Sequence, residues 1–166
     1  MMDYRSLTVR HATAEDVDYV VRRMRAQDRR EVYGVRFSSD PDALIGEFVA
    51  GITNQSFAYF YAVASKHTHR AIALIAIVLA TPRAAFASLI ATDEWLKIVL
   101  DVTRFIRDVV IVDCIKSGLR RVELRALASW HANRRWLESM GAIFECECPC
   151  LSDEPYAQYA WTNVEA

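Results

Sequence analysis

Glycine, proline and lysine are all scarce in this chain. Five glycines and four prolines are scattered over 166 residues. Neither a phosphate-binding loop nor the Ser elbow of the hydrolases occurs. Lysine stands only at Lys66, Lys97 and Lys116, so arginine carries most of the positive charge and favours fixed, bidentate surface pairing. Net charge is −1, which gives no chain-wide reason to bind nucleic acid or an anionic membrane. The apolar run Ala71–Ala80 is far shorter than the about 20 residues a membrane helix needs. The opening residues Met1–Thr13 read as polar and strand-like, without the basic-then-apolar order of a secretory signal. Four cysteines in that setting point to a reducing cytoplasm and free thiols. No linker, internal repeat or low-complexity stretch breaks the chain.

What is present is enough for one full core, and the expectation is a single domain over residues 1–166. Leu7–Ala12 reads as a strand. Thr13-Ala14-Glu15-Asp16 then has the hydroxyl and carboxylate of a capping box. Val17, Val20, Val21 and Met24 recur at helical spacing, and the helix is expected to continue irregularly through Ala26–Val35. Pro41 starts a further helix that Gly51 is expected to end. Phe57–Val63, Ala71–Leu79 and Ala85–Ala91 read as three strands, the second buried on both faces. Val102, Phe105, Ile106 and Val109 predict a helix running to Gly118.

Residues 120–145 predict a strand, a short helix stopped by Gly141, and a new strand. Phe144–Leu151 continues that strand, with Cys146, Cys148 and Cys150 on one face as small thiols filling the core. Gln158–Val164 closes the sheet. The fold class is α/β: a hairpin meander, then a helical crossover to a parallel neighbour, giving a mixed sheet with helices on both faces.

Two segments carry a family resemblance. Thr8-Val9-Arg10-His11-Ala12-Thr13-Ala14-Glu15-Asp16 and His131-Ala132-Asn133-Arg134-Arg135-Trp136-Leu137-Glu138-Ser139-Met140-Gly141-Ala142 resemble the opening and C-terminal motifs of the GNAT superfamily. These are acyl-CoA-dependent N-acetyltransferases, and the resemblance implies about seven strands around a central mixed sheet. Within the superfamily the chain looks most like phage-encoded GNAT-like proteins, on Asp28-x-x-Glu31, Ala91-Thr92 and the closing motif.

The resemblance implies an acetyl-CoA cosubstrate and an amine acceptor, on a protein (of a host, for example) or on a small molecule. The chain would then work in a cytoplasm, or in a virion if phage-encoded. It implies no nucleic-acid or membrane partner and leaves homodimer formation open. Glu31 and His131 are the candidate proton-transfer residues. The backbone of Ile90, Ala91 and Thr92, with the side chain of Asn133, is the candidate cofactor contact. Without a catalytic role, Glu31 reads as a solvated helix residue beside Arg29 and Arg30.

Two departures set the alternative. The segment Thr92–Arg104, where the family holds a diphosphate on glycine-rich backbone, has no glycine and carries Asp93, Glu94 and Asp101. Leu137 stands where many members have a tyrosine acid. The alternative is a non-catalytic, protein-binding module such as a virion component. For that module Trp130, Trp161, Tyr156, Tyr159 and Arg134 would supply an interface. No metal site is expected, because neither C-x-C-x-C nor His67-x-His69 has zinc spacing.

Overall fold

The computed structural model describes residues 7–149 and 151–163. Its strands are β1 (Leu7–His11), β2 (Phe57–Ser65), β3 (Ala71–Thr81), β4 (Ala84–Ala91), β5 (Arg121–Leu127), β6 (Ile143–Cys148) and β7 (Tyr156–Thr162). They form one sheet in the order β1-β2-β3-β4-β5-β7-β6. Every neighbouring pair is antiparallel except β4 and β5, which run parallel. The mixed α/β sheet predicted from patterning is the one observed.

Helices α1 (Ala14–Arg22), α2 (Ala26–Gly34) and α3 (Pro41–Thr53) connect β1 to β2. Thr13 caps α1 as its spelling requires: its hydroxyl accepts from the Asp16 N–H, and its own N–H donates to the Asp16 carboxylate at 3.0 Å. After β4, a 3-10 turn (Asp93–Lys97) leads into α4 (Val99–Phe105), a π-helical turn (Ile106–Val110) and α5 (Ile111–Lys116). The backbone stays helical at both junctions, so these three make one rod. Helix α6 (His131–Ser139) follows β5. Gly118 and Gly141 take φ of +88° and +85°, the left-handed conformation that ends a helix where glycine fits best.

The sheet is covered on both faces. Val17, Val20, Val21, Leu44 and Phe48 of α1 and α3 pack on Phe60, Ala62, Leu74 and Ala76. The α4–α5 rod and α6 cover the other face, with Val102, Phe105, Val110, Leu137 and Met140 against Ile75, Ile77, Val122 and Leu124.

Four local expectations are corrected. The helix expected over Ala26–Val35 is present as α2, but it is not continuous with α1: Met24 bridges Thr92 and the Arg25 N–H donates to Ala91 O at 2.9 Å, tying the chain to the end of β4. Gly51 does not end α3; it lies inside it, where an added Cβ would meet the Phe57 ring at 2.5 Å. Strand β6 is the sheet edge, so Cys146 is exposed and Cys148 half-buried rather than core; Cys150 lies outside the described residues. Tyr156 and Tyr159, read as candidate interface residues, are fully buried.

Candidate active site

The site follows from where β4 and β5 stop pairing. Their parallel register covers only Ala84–Arg121, Ala85–Val122 and Phe86–Glu123. Beyond these the strands diverge and leave a cleft of about 230 Å³. The two strands part as a V that opens toward Ala91 and Leu127.

Hydrogen-bond parity shows which backbone groups face the gap. The Thr92 N–H donates to Ile72 O at 2.8 Å, so Thr92 and, two residues back, Ile90 pair with β3. The intervening residues Leu89 and Ala91 point the other way. On β5, the bonds from Ala128 N to Pro155 O and from Asn163 N to Arg120 O turn Arg125 and Leu127 toward the gap.

Helix α2 then caps one group on each arm. The Asp28 carboxylate accepts from the Ala91 N–H at 2.7 Å, and the Glu31 carboxylate accepts from the Leu127 N–H at 3.1 Å. The N–H and C=O groups of Leu89 and Arg125 lie in the gap, where no strand meets them.

The two carboxylates have different surroundings. Asp28 is 2% exposed and takes a bidentate bond from Arg25, Nε at 3.0 Å and Nη2 at 2.7 Å. The same guanidinium lies 5.0 Å from the Trp95 ring and 5.3 Å from the Trp130 ring, a cation stacked between the turn after β4 and the turn after β5. Burial pushes the Asp28 carboxyl above the usual range, with Arg25 and the Ala91 N–H holding it back.

Among the described residues no cation bonds Glu31, and its side-chain partner is the Leu127 N–H. Burial pushes its carboxyl up to about 7, against that N–H and with Asp28 adding repulsion. Tyr156 steadies this part of α2, its hydroxyl donating to Glu31 O at 2.7 Å. The close approach depends on Gly34, where a Cβ would lie 2.7 Å from that hydroxyl.

Placement of the predicted site residues is mixed. Glu31 and Asn133 line the cleft. Glu31 is not the solvated helix residue its arginine neighbours suggest. His131 is exposed at the start of α6, its N–H bonded to Ser129 O, and does not line the cleft. The backbones of Ile90, Ala91 and Thr92 are committed to β3, to Asp28 and Arg25, and to Ile72. The unpaired groups lie instead at Leu89 and Arg125, a shift legible only from the ladder's parity. Sequence reading did not find Arg25, Asp28 or Tyr156 as site residues; the i, i+3 spacing of Asp28 and Glu31 was the one signal. Leu137 lines the cleft and is buried.

No protein-family model matches this chain, and no curated protein matches its sequence. Solved structures do resemble it. The ribosomal-protein-S5-alanine acetyltransferase of Vibrio fischeri superposes with a TM-score of 0.71 at 12% identity, over 99% of this chain and 97% of that one. Ard1 of Thermoplasma volcanium gives 0.70 at 15% identity, over 96% and 99%. YncA of Salmonella typhimurium, solved with its cofactor acetyl-CoA, gives 0.70 at 10% identity, over 96% and 95%. The fold is the GNAT fold.

The cleft differs at its two ends. Unpaired main-chain groups of Leu89 and Arg125 beside Leu124 and Trp136 could hold an amide-bearing ligand. The turn after β4 offers no anion cradle. Thr92 Oγ1 accepts the Glu94 N–H, Thr92 O accepts the Trp95 N–H, and Trp95 O accepts the Ile98 N–H, so much of that turn bonds itself. Asp93 and Glu94 head the turn, and Leu96 and Leu100 stand 82% and 73% exposed. An anion meets carboxylates and leucines there. Among the described residues no group of three metal-ligating side chains occurs, and no helix is long and apolar enough to cross a membrane.

Proposed function

We propose that this protein transfers an acyl group from a thioester donor to an amine, with Glu31 as the general base. The observation that carries the reading is the Glu31 carboxylate in an open β4–β5 cleft, held by a strand N–H and titrating near neutrality. The amine nitrogen attacks the thioester carbonyl carbon, the N–C bond forms, and the C–S bond breaks. Glu31 takes the proton from nitrogen. The sulfur leaves as thiolate, which a free thiol's pKa of about 8.5 allows without an acid; Leu137 in the tyrosine position is compatible with that. The Leu89 N–H is the donor placed to polarise the carbonyl.

Acetyl-CoA is the simplest donor, and the resemblance to phage-encoded GNAT-like proteins suggests a host protein amine as acceptor. The missing diphosphate cradle predicts that the arm supplies the affinity. The test is calorimetry with acetyl-CoA and with acetyl-pantetheine, followed by thiol release with a panel of amines. Both donors should bind within about fivefold of each other, since exposed charge contacts contribute about 1 kcal/mol or less. No binding of either at millimolar concentration, nor of any longer acyl thioester, sinks the reading.

The acidic, glycine-free turn favours a second reading, a non-catalytic protein-binding module of the virion type. Absence of thioester binding together with a stable, folded chain would leave that one standing.

A further inference from the structure

A second cavity, of about 140 Å³, lies beside the cleft on the α4–α5 face of the sheet. Ile77, Val110 and Trp161 line both spaces, so three side chains separate them. Beyond that wall the lining is Ile111, Cys114, Ile115, Leu119, Val122 and Ile143.

Two polar groups of its lining are engaged elsewhere. The Trp161 indole N–H is spent on Met140 O at 3.0 Å, and Arg121 is committed to Glu123 and Glu145. Among the described residues the one buried side-chain polar atom without a partner is the Tyr33 hydroxyl, on α2. Ile115 and Ile143 of the lining are 43% and 60% exposed, so the space is a groove half open to solvent whose apolar walls suit hydrocarbon. Left vacant, it forfeits dispersion contacts around its whole lining.

The helix geometry fits this arrangement. Ile106 and Val110 begin and end the π-helical turn, and both line the cleft. A π turn inserts a residue into the rod and is a common device at functional sites. Here it sets Val110 on the boundary between the two spaces.

We propose that the transferred acyl group is an aliphatic chain longer than acetyl, its tail seated in this second cavity. The inference rests on the acyl-transfer reading above and names the substrate class of that same cleft. At the about 30 Å³ that a water occupies in the liquid, the second space holds several groups of methylene size, where a two-carbon acyl group would leave it vacant. The far rim is polar, with Arg120, Thr162 and Asn163, and marks where the apolar tail should end.

The probe is a ladder of S-acyl-N-acetylcysteamine thioesters, from two to twelve acyl carbons, titrated calorimetrically into the full chain. Kd should fall about two- to fourfold per added methylene, the range for burying CH₂ groups, and then level off. In Cys114→Phe, which fills the second cavity, the levelling should come at a shorter chain. Because that variant can fail to fold, a second measurement uses the natural chain: peptide-mapped iodoacetamide labelling of Cys114 should slow with a ten-carbon thioester and not with the acetyl one.

Kd independent of length, with the acetyl thioester bound, overturns the tail site and leaves acyl transfer intact. So do identical length profiles in a folded Cys114→Phe protein. No binding at any length overturns both readings.

Discussion

Asp28 and Glu31 leave the same helix one turn apart, and at one end they behave alike. Each accepts a main-chain N–H from one arm of the diverging strand pair, Ala91 on β4 and Leu127 on β5. They part company at the other end. Asp28 is neutralised by a bidentate Arg25 that is itself stacked between two tryptophans. Among the described residues Glu31 has only its strand N–H, and it faces an open cleft. One carboxylate is therefore a structural staple. The other is the base of the proposed reaction; it lies half-buried where Asp28 is fully buried, and among the described residues it lacks the arginine pairing that Asp28 has.

The comparison can be broken most sharply at Glu31. Glu31→Gln keeps an acceptor for the Leu127 N–H and removes the base. On the acyl-transfer reading, kcat should fall about 10²- to 10⁴-fold, the usual contribution of a general base, and the rise in rate through about pH 7 expected of the natural protein should vanish from the residual activity. A pH–rate profile unchanged in the variant would remove Glu31 from the chemistry.

Asp28→Ala tests the staple. It strands the Arg25 guanidinium and the Ala91 N–H, and loss of one partner in a buried pair costs about 3–5 kcal/mol. Urea unfolding should show that loss at constant m-value. A cost under 1 kcal/mol would mean the stacked tryptophans alone hold Arg25.

The third prediction concerns stability against pH. The folded state keeps the Glu31 proton up to about 7, whereas the unfolded chain releases it near 4.5. Between those values the unfolded state binds fewer protons, so stability falls as pH rises through the window. The effect is about 3 kcal/mol at most, at 1.36 kcal/mol per pKa unit. Glu31→Gln should abolish this fall, so that its melting temperature exceeds the natural protein's at pH 8 and matches it near pH 4. The smallest effect is expected at His131, outside the cleft: His131→Ala should change stability by no more than about 0.5 kcal/mol and leave kcat untouched.

How far the sequence reaches can be seen on the same helix. The capping box at Thr13, the stripe Val17–Val20–Val21 and the two glycine stops are local signals, spelled within a few residues, and they hold in the structure. The spacing of Asp28 and Glu31 was legible as one turn. Their partners were not, because Ala91 and Leu127 lie 63 and 96 residues away in sequence. Helix α2, AQDRREVYG, carries too few apolar residues for its burial to show as a stripe. It is held down by hydrogen bonds to strand ends rather than by a greasy face. The cysteines of β6 mislead for the opposite reason: alternation marks a strand face and says nothing of whether the strand lies mid-sheet or at its edge.

The three-pair seam between β4 and β5 also bears on how the chain folds. To one side lie the β1–β4 hairpins, and to the other the β5, β7 and β6 ladder, each antiparallel within itself. Only the helices and the shared core cluster span the seam besides this short join, and native-state hydrogen exchange tests whether the two blocks of amides open with separate energies. The Ala91 and Leu127 amides, fastened to α2 across the seam, should open together.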